Sequence, residues 1–157
     1  MPTWVILGRY VACAVLRALM IGTIVLVIAM FFTKVRIPHP FVTLTTVILG
    51  ATIFALAGFV NAVYAKKFDD IAIVPTFILT PLTYLGGVFY SVKLLPDWAE
   101  AATHLNPIFY MVNAVRYGLL GVSDVPLWLA YALMLGFVVV LGGLGLWLMK
   151  RGVGLRS

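Results

Sequence analysis

The sequence predicts an all-α fold: a multi-pass transmembrane helical bundle of four spans plus a pair of short external re-entrant or interfacial helices. Three observations predict it. Apolar residues make up 64% of the chain and charged residues 10%, against about 45–50% and about 25% in soluble domains. Four long apolar runs alternate with short polar connections that carry most of the basic residues. Between the third and fourth runs lie two apolar patches, too short to cross a bilayer and too apolar for water. At 157 residues a single domain is expected.

The first span covers residues 10–32. A helix of that length runs about 35 Å at about 1.5 Å per residue, enough for a hydrocarbon core of about 30 Å. Arg17 falls inside it, about two turns from one end, where its head can snorkel to the headgroups. Lys34, Arg36, Pro38, His39 and Pro40 make a connection in which the prolines stop the helix. The second span, 41–65, is free of charge. Its Ala51, Ala55, Gly58, Ala62 and Ala65 share one stripe, suited to close helix packing.

Lys66, Lys67, Asp69 and Asp70 form a polar loop before the third span, 71–92. Here Pro81 withholds a donor from the Phe77 carbonyl and should kink the helix. Thr76, Thr80 and Thr83 share a face that Gly87 continues. Their hydroxyls either satisfy carbonyls freed by Pro75 and Pro81 or give a pathway a weakly polar lining.

Residues 71–121 form the stretch around which the rest is arranged, and its two short patches lie within residues 93–124. Pro96 opens a helix whose first turn holds Asp97 and Glu100, complementing the helix dipole. Trp98, Ala101, Ala102 and Leu105 oppose Asp97, Glu100 and His104, the pattern of a helix lying at the membrane surface. Asn106 and Pro107 end it. A second patch then sets Phe109, Val112, Val115 and Leu119 on one face and Asn113, Arg116 and Tyr117 on another. It is too short to span and reads as re-entrant or interfacial. The fourth span, 126–149, carries a stripe of Ala132, Gly136 and Gly143 and closes on Lys150, Arg151 and Arg156.

Four spans put both termini on one side. That side holds Arg9, Arg17, Lys66, Lys67, Lys150, Arg151 and Arg156, against Lys34, Arg36, Lys93 and Arg116 opposite. The bias places both termini in the cytosol and residues 93–124 outside, where Tyr84, Phe89 and Tyr90 also approach an aromatic belt. Membrane orientation thus accounts for the net charge of +6. Nucleic acid is not expected as a partner, since no basic patch with base-stacking aromatics lies outside an apolar run.

Catalytic chemistry is sparse. Cys13 is the sole cysteine and sits in an apolar run, so one chain forms neither a disulfide nor a thiolate cluster. Phosphate-loop, zinc-protease and serine-hydrolase motifs are missing. No catalytic, cofactor-binding or metal site is expected. Asp97, Glu100 and His104 are the one cluster a lipid-modifying enzyme would use, and a solvated helix face accounts for them. Asp69 and Asp70 end on the side assigned to Arg17, so an ion pair between the first and third spans is expected.

Residues 77–124 read FILTPLTYLGGVFYSVKLLPDWAEAATHLNPIFYMVNAVRYGLLGVSD. With Pro81, the run Gly86, Gly87, Val88, Phe89, the pair Leu95 and Pro96, the triplets Leu105, Asn106, Pro107 and Arg116, Tyr117, Gly118, and the ending KRGVGLRS, the chain resembles the ABC-2-type permease family. It is most similar to bacterial members related to nodulation-factor, polysaccharide and drug exporters. The resemblance covers residues 1–157 as part of one ABC-2-type transmembrane domain, matching its third to sixth spans. Such permeases have two earlier spans and a cytosolic docking loop, so an N-terminally truncated copy is expected. The resemblance further implies a cell inner-membrane export subunit that pairs with a second permease chain. A separate nucleotide-binding ATPase subunit would hold ATP and magnesium, and membrane lipid surrounds the pair. The cargo is unspecified. On this reading Thr76, Thr80, Thr83, Tyr84, Tyr90, Tyr110, Asn113 and Arg116 are the candidate translocation-path or gate residues. The alternative is a non-transporting membrane assembly or regulatory partner.

Overall fold

The computed structural model describes residues 2–86 and 94–152. Seven α-helices are present among them: α1 Thr3–Phe32, α2 Pro40–Tyr64, α3 Phe68–Val74, α4 Thr80–Leu85, α5 Asp97–His104, α6 Pro107–Leu120 and α7 Leu127–Lys150. A five-residue π-helical turn, Pro75–Leu79, joins α3 to α4. Taken as one rod of 18 residues, Phe68–Leu85 is the third of four helices long and apolar enough to cross a membrane. The all-α multi-pass bundle expected from composition is the fold observed.

Boundaries differ from the expectation in two places. α1 begins at Thr3 rather than residue 10, because no proline lies between Pro2 and Pro38 and the one glycine before residue 10, Gly8, lowers helix propensity by only about 1 kcal/mol. In the third span the irregularity starts at Pro75, ahead of Pro81, where the helix widens and the Thr80 N–H reaches back to the Pro75 carbonyl. The expected end of that span, with Gly87, Phe89, Tyr90 and Lys93, lies outside the described residues, as does Arg156.

α2 is the centre of the bundle and packs on α1, α6 and α7. α6, too short to span, is nonetheless the best-buried helix. Ile108, Phe109, Tyr110, Met111, Asn113, Ala114 and Gly118 are all buried. The core runs the length of the molecule. Phe109, Ala114 and Ala130 fill one end, Ile53, Met111 and Met134 the middle, and Leu7, Leu56 and Met149 the other end. Apolar side chains such as Phe31, Phe32 and Val139 point outward, as a lipid solvent requires. Lipid tails are as apolar as leucine, so close packing and interhelical hydrogen bonds hold such helices together.

The two small-residue stripes behave differently. On α2, Ala55 is buried and a Cβ added at Gly58 would lie 3.8 Å from the Tyr10 hydroxyl of α1. On α7 the stripe of Ala132, Gly136 and Gly143 is not the packing face. Side chains added at Gly136 or Gly143 would meet nothing within 4 Å. α7 instead turns Ala130, Met134 and Leu148 inward, and a Cβ added at Gly145 would lie 3.6 Å from Leu7 and Phe59. Small residues line both faces of this helix, so the large side chains decide which face is buried.

Candidate functional site

One end of the bundle is built by residues 33–39, α5 and α6. The His39 ring stacks on Tyr117 with centroids 4.9 Å apart, and the His39 N–H donates to the Gly118 carbonyl at 3.3 Å. Gly118 admits α2 closely: a Cβ there would lie 2.8 Å from the Thr43 nitrogen. The connection after the first span and the hairpin before the fourth therefore share one end.

Buried polar side chains knit that end together. Asn106, 2% exposed, accepts from the Ile108 N–H at 3.0 Å and so caps α6. Its amide donates to the Leu82 carbonyl at 2.6 Å, holding the last turn of α4. Tyr110 donates its hydroxyl to the His104 carbonyl at 2.7 Å, closing α5 onto α6. Asn113, 1% exposed, donates to the Phe109 carbonyl at 2.8 Å and accepts from the Asp124 N–H at 3.0 Å. Arg116 pairs with Asp124 at 3.4 Å, both largely covered. Thus Asn113 and Arg116 jointly hold the loop that leads into α7.

α5 keeps its apolar side, Trp98, Ala101, Ala102 and Leu105, exposed. Trp98 and Leu105 face outward, while Ala99 and Thr103 are buried beneath. Glu100 and His104 stand 3.9 Å apart on a half-exposed face.

The third span is held chiefly at its ends. Pro75 lacks the N–H that the Ile71 carbonyl would otherwise receive; Asn61 of α2 donates its amide there instead, at 3.0 Å. The other tie is the bond from Asn106 to Leu82, reinforced where Gly86 nestles against Ile108. Between these ties Thr76, Thr80, Thr83 and Tyr84 are exposed. The Thr80 and Thr83 hydroxyls donate to the Pro75 and Leu79 carbonyls at 3.1 and 2.7 Å. Their hydrogen-bonding need is met locally while their surfaces stay outward.

The structure brings Tyr110, Asn113 and Arg116 together on α6, apart from the exposed face of Thr76, Thr80, Thr83 and Tyr84; Tyr90 is outside the described residues. Sequence reasoning passed over Asn61 and Asn106 as site residues. Asn61 sits in an otherwise apolar span, and that was its available signal.

Arg17 requires a correction. α1 extends fourteen residues before it and fifteen after it, so it sits mid-helix rather than near an end. Its neighbours Ala14 and Ala18 share a groove with Gly50 and Ala51, near the midpoint of α2. The expected pair with Asp69 or Asp70 does not form. Asp70 instead accepts from the Lys66 and Lys67 N–H groups at 3.0 Å each, and the ion pairs among the described residues are Glu100 with His104 and Arg116 with Asp124.

The ABC-2 type transporter family model matches residues 1–120. The inner membrane transport permease YadH of Escherichia coli K12 is 47% identical over 156 residues, covering 99% of this chain and 61% of that protein. Nodulation protein J of Sinorhizobium fredii is 27% identical over 116 residues, covering 74% of this chain and 44% of that protein. The chain therefore spans about three-fifths of the length of the permease it matches along nearly all its own. No solved structure matches it. Four apolar rods, a pair of short helices between the last two and a family match over most of the sequence lead to one assignment: the chain belongs to the ABC-2 type transporter family.

Proposed function

We propose that this chain is a membrane-spanning permease subunit of an ATP-driven export system of the cell inner membrane, forming part of the route that cargo takes outward. The observation that carries the proposal is the end-to-end similarity to an inner membrane transport permease. Catalysis belongs elsewhere. A separate nucleotide-binding ATPase subunit, holding ATP and magnesium, drives the permease, and a second permease chain completes the path.

In this reading the exposed face of Thr76, Thr80, Thr83 and Tyr84, with Tyr90 beyond it, lines the route. Tyr110, Asn113 and Arg116 set the shape of its outer mouth. Basic-residue bias supports both termini in the cytosol even with Arg17 left out of the count. Arg9, Lys66, Lys67, Lys150, Arg151 and Arg156 then stand against Lys34, Arg36, Lys93 and Arg116.

Affinity purification of the tagged protein from its native membrane in mild detergent tests the assignment. Co-elution of a nucleotide-binding subunit is expected. Elution without any such subunit contradicts it and favours the non-transporting partner. Alanine replacement of the eight path residues should lower export while leaving membrane insertion intact.

A further inference from the structure

We propose that the cavity between α1, α2 and α6 binds an anionic membrane phospholipid, whose acyl chain fills the cavity while its phosphate meets Lys34 and Arg36. The cavity holds about 440 Å³. Gly22 and Leu26 of α1, Leu44 of α2, and Val115 and Leu119 of α6 are in its lining. Thr23 and Thr43 bring the hydroxyl groups of that lining. Thr23 donates to the Leu19 carbonyl at 2.7 Å and Thr43 to the His39 carbonyl at 3.2 Å, so both hydroxyl protons are already spent. Ordered water needs two to four polar partners, which such a lining withholds. The space suits a flexible hydrocarbon chain.

The connection from α1 to α2 supplies the charged half. Along residues 34–37 burial alternates, as side chains do on an extended backbone. Val35 and Ile37 are half-buried and line the cavity, whereas Lys34 and Arg36 are exposed. Each cation neighbours a lining residue in the chain, about 3.8 Å away at Cα, and so stands at the rim. A ligand matched to this arrangement joins an apolar tail to an anionic head, and a phospholipid is the molecule of that chemistry surrounding a multi-pass protein.

Tail and head contribute differently. Lipid tails are as apolar as leucine, so moving from bilayer to cavity gives the tail a place but little preference. One Lys or Arg beside an anionic headgroup is worth about fivefold in affinity. Two should favour phosphatidylglycerol over phosphatidylcholine by at least about tenfold. Val115 and Leu119 share α6 with Asn113 and Arg116, so an occupied cavity braces the hairpin from the α1 side.

The test places the complete transporter, with every subunit that co-purifies, in phosphatidylcholine nanodiscs. A trace of phosphatidylglycerol or phosphatidylcholine, each carrying the same photoactivatable diazirine in one acyl chain, is added and irradiated. Cross-linked residues are identified by peptide mass spectrometry. Cross-links to the cavity lining are expected, at least about tenfold more from the phosphatidylglycerol probe. Lys34→Gln combined with Arg36→Gln should erase that preference, and Lys34→Arg combined with Arg36→Lys should keep it. Gly22→Leu fills the cavity and leaves the rim intact; a Cβ at Gly22 meets nothing within 4 Å, so the helix accommodates it. This variant should lose the cavity cross-links from both probes.

Four results overturn the proposal: equal cross-linking by the two probes, a preference that survives the double glutamine variant, cavity cross-links undiminished in Gly22→Leu, or cross-links confined to residues outside the cavity. The last would show that protein fills this space in the complete transporter. If the double glutamine variant does not accumulate, the probe ratio in the parent and the Gly22→Leu result decide. Cross-linking needs neither cargo nor ATP turnover, so its failure and a failed subunit co-purification are separate results.

Discussion

Asn106 donates to one helix and accepts from another, so its truncation releases both. In Asn106→Ala the cap of α6 is lost, worth about 1 kcal/mol, and the Leu82 carbonyl loses its donor, costing about 1–3 kcal/mol where water is excluded. A loss of about 2–3 kcal/mol is expected in reversible unfolding in detergent. Asn106→Asp keeps the capping oxygen but not the amide, and should fall between the two. Glycines give a second comparison at this scale. Gly118→Ala sets a methyl within 2.8 Å of the Thr43 backbone and should lower the thermal midpoint markedly. Gly136→Ala meets nothing within 4 Å, and its midpoint should match that of the parent. Equal midpoints for the two variants would contradict the observed α2–α6 contact.

At the scale of elements, the third span is a rod tied near its ends by two asparagines, with a widened turn between them. π-Turns inside α-helices frequently mark functional positions. Pro75→Ala restores the N–H that the Ile71 carbonyl lacks, so Asn61 becomes redundant there. The Asn61→Leu change should therefore destabilise the parent by about 1 kcal/mol and the Pro75→Ala background by less, a non-additivity that a double-mutant cycle reads directly. Export should fall in Pro75→Ala if the widened turn serves the route. The loop before α7 gives another cycle. Arg116→Gln and Asp124→Asn should each destabilise, with a favourable coupling of about 0.5–1 kcal/mol because the pair is partly covered. Additive effects would show that Asn113 alone holds this loop.

For the whole molecule, the broad architecture was legible in the sequence because an apolar run longer than a bilayer has few other uses. The hairpin was legible too, since the break at Asn106 and Pro107 and the shortness of each patch are local features. What stayed hidden depends on neighbours. The mid-helix position of Arg17 follows from where α1 starts. The packing face of α7 follows from Met134 and Leu148 meeting partners, where glycine spacing pointed to another stripe. Asn61 and Asn106 gain their roles from carbonyls ten and twenty-four positions away, a relation no local pattern encodes. Polar residues inside apolar sequence were the places where the fold had most to add.

The account requires that four helices cross the bilayer and that the α5–α6 hairpin emerge on the side opposite the termini. A single cysteine at Ala101, on the exposed face of α5, in a Cys13→Ser background measures this directly. Its reaction with a membrane-impermeant maleimide is followed in cells whose outer barrier is opened and whose inner membrane is intact. The account predicts rapid labelling at Ala101→Cys in those cells, while a cysteine at Lys150 labels only after the inner membrane is disrupted. The reverse pattern, or labelling of both positions from one side, would contradict it.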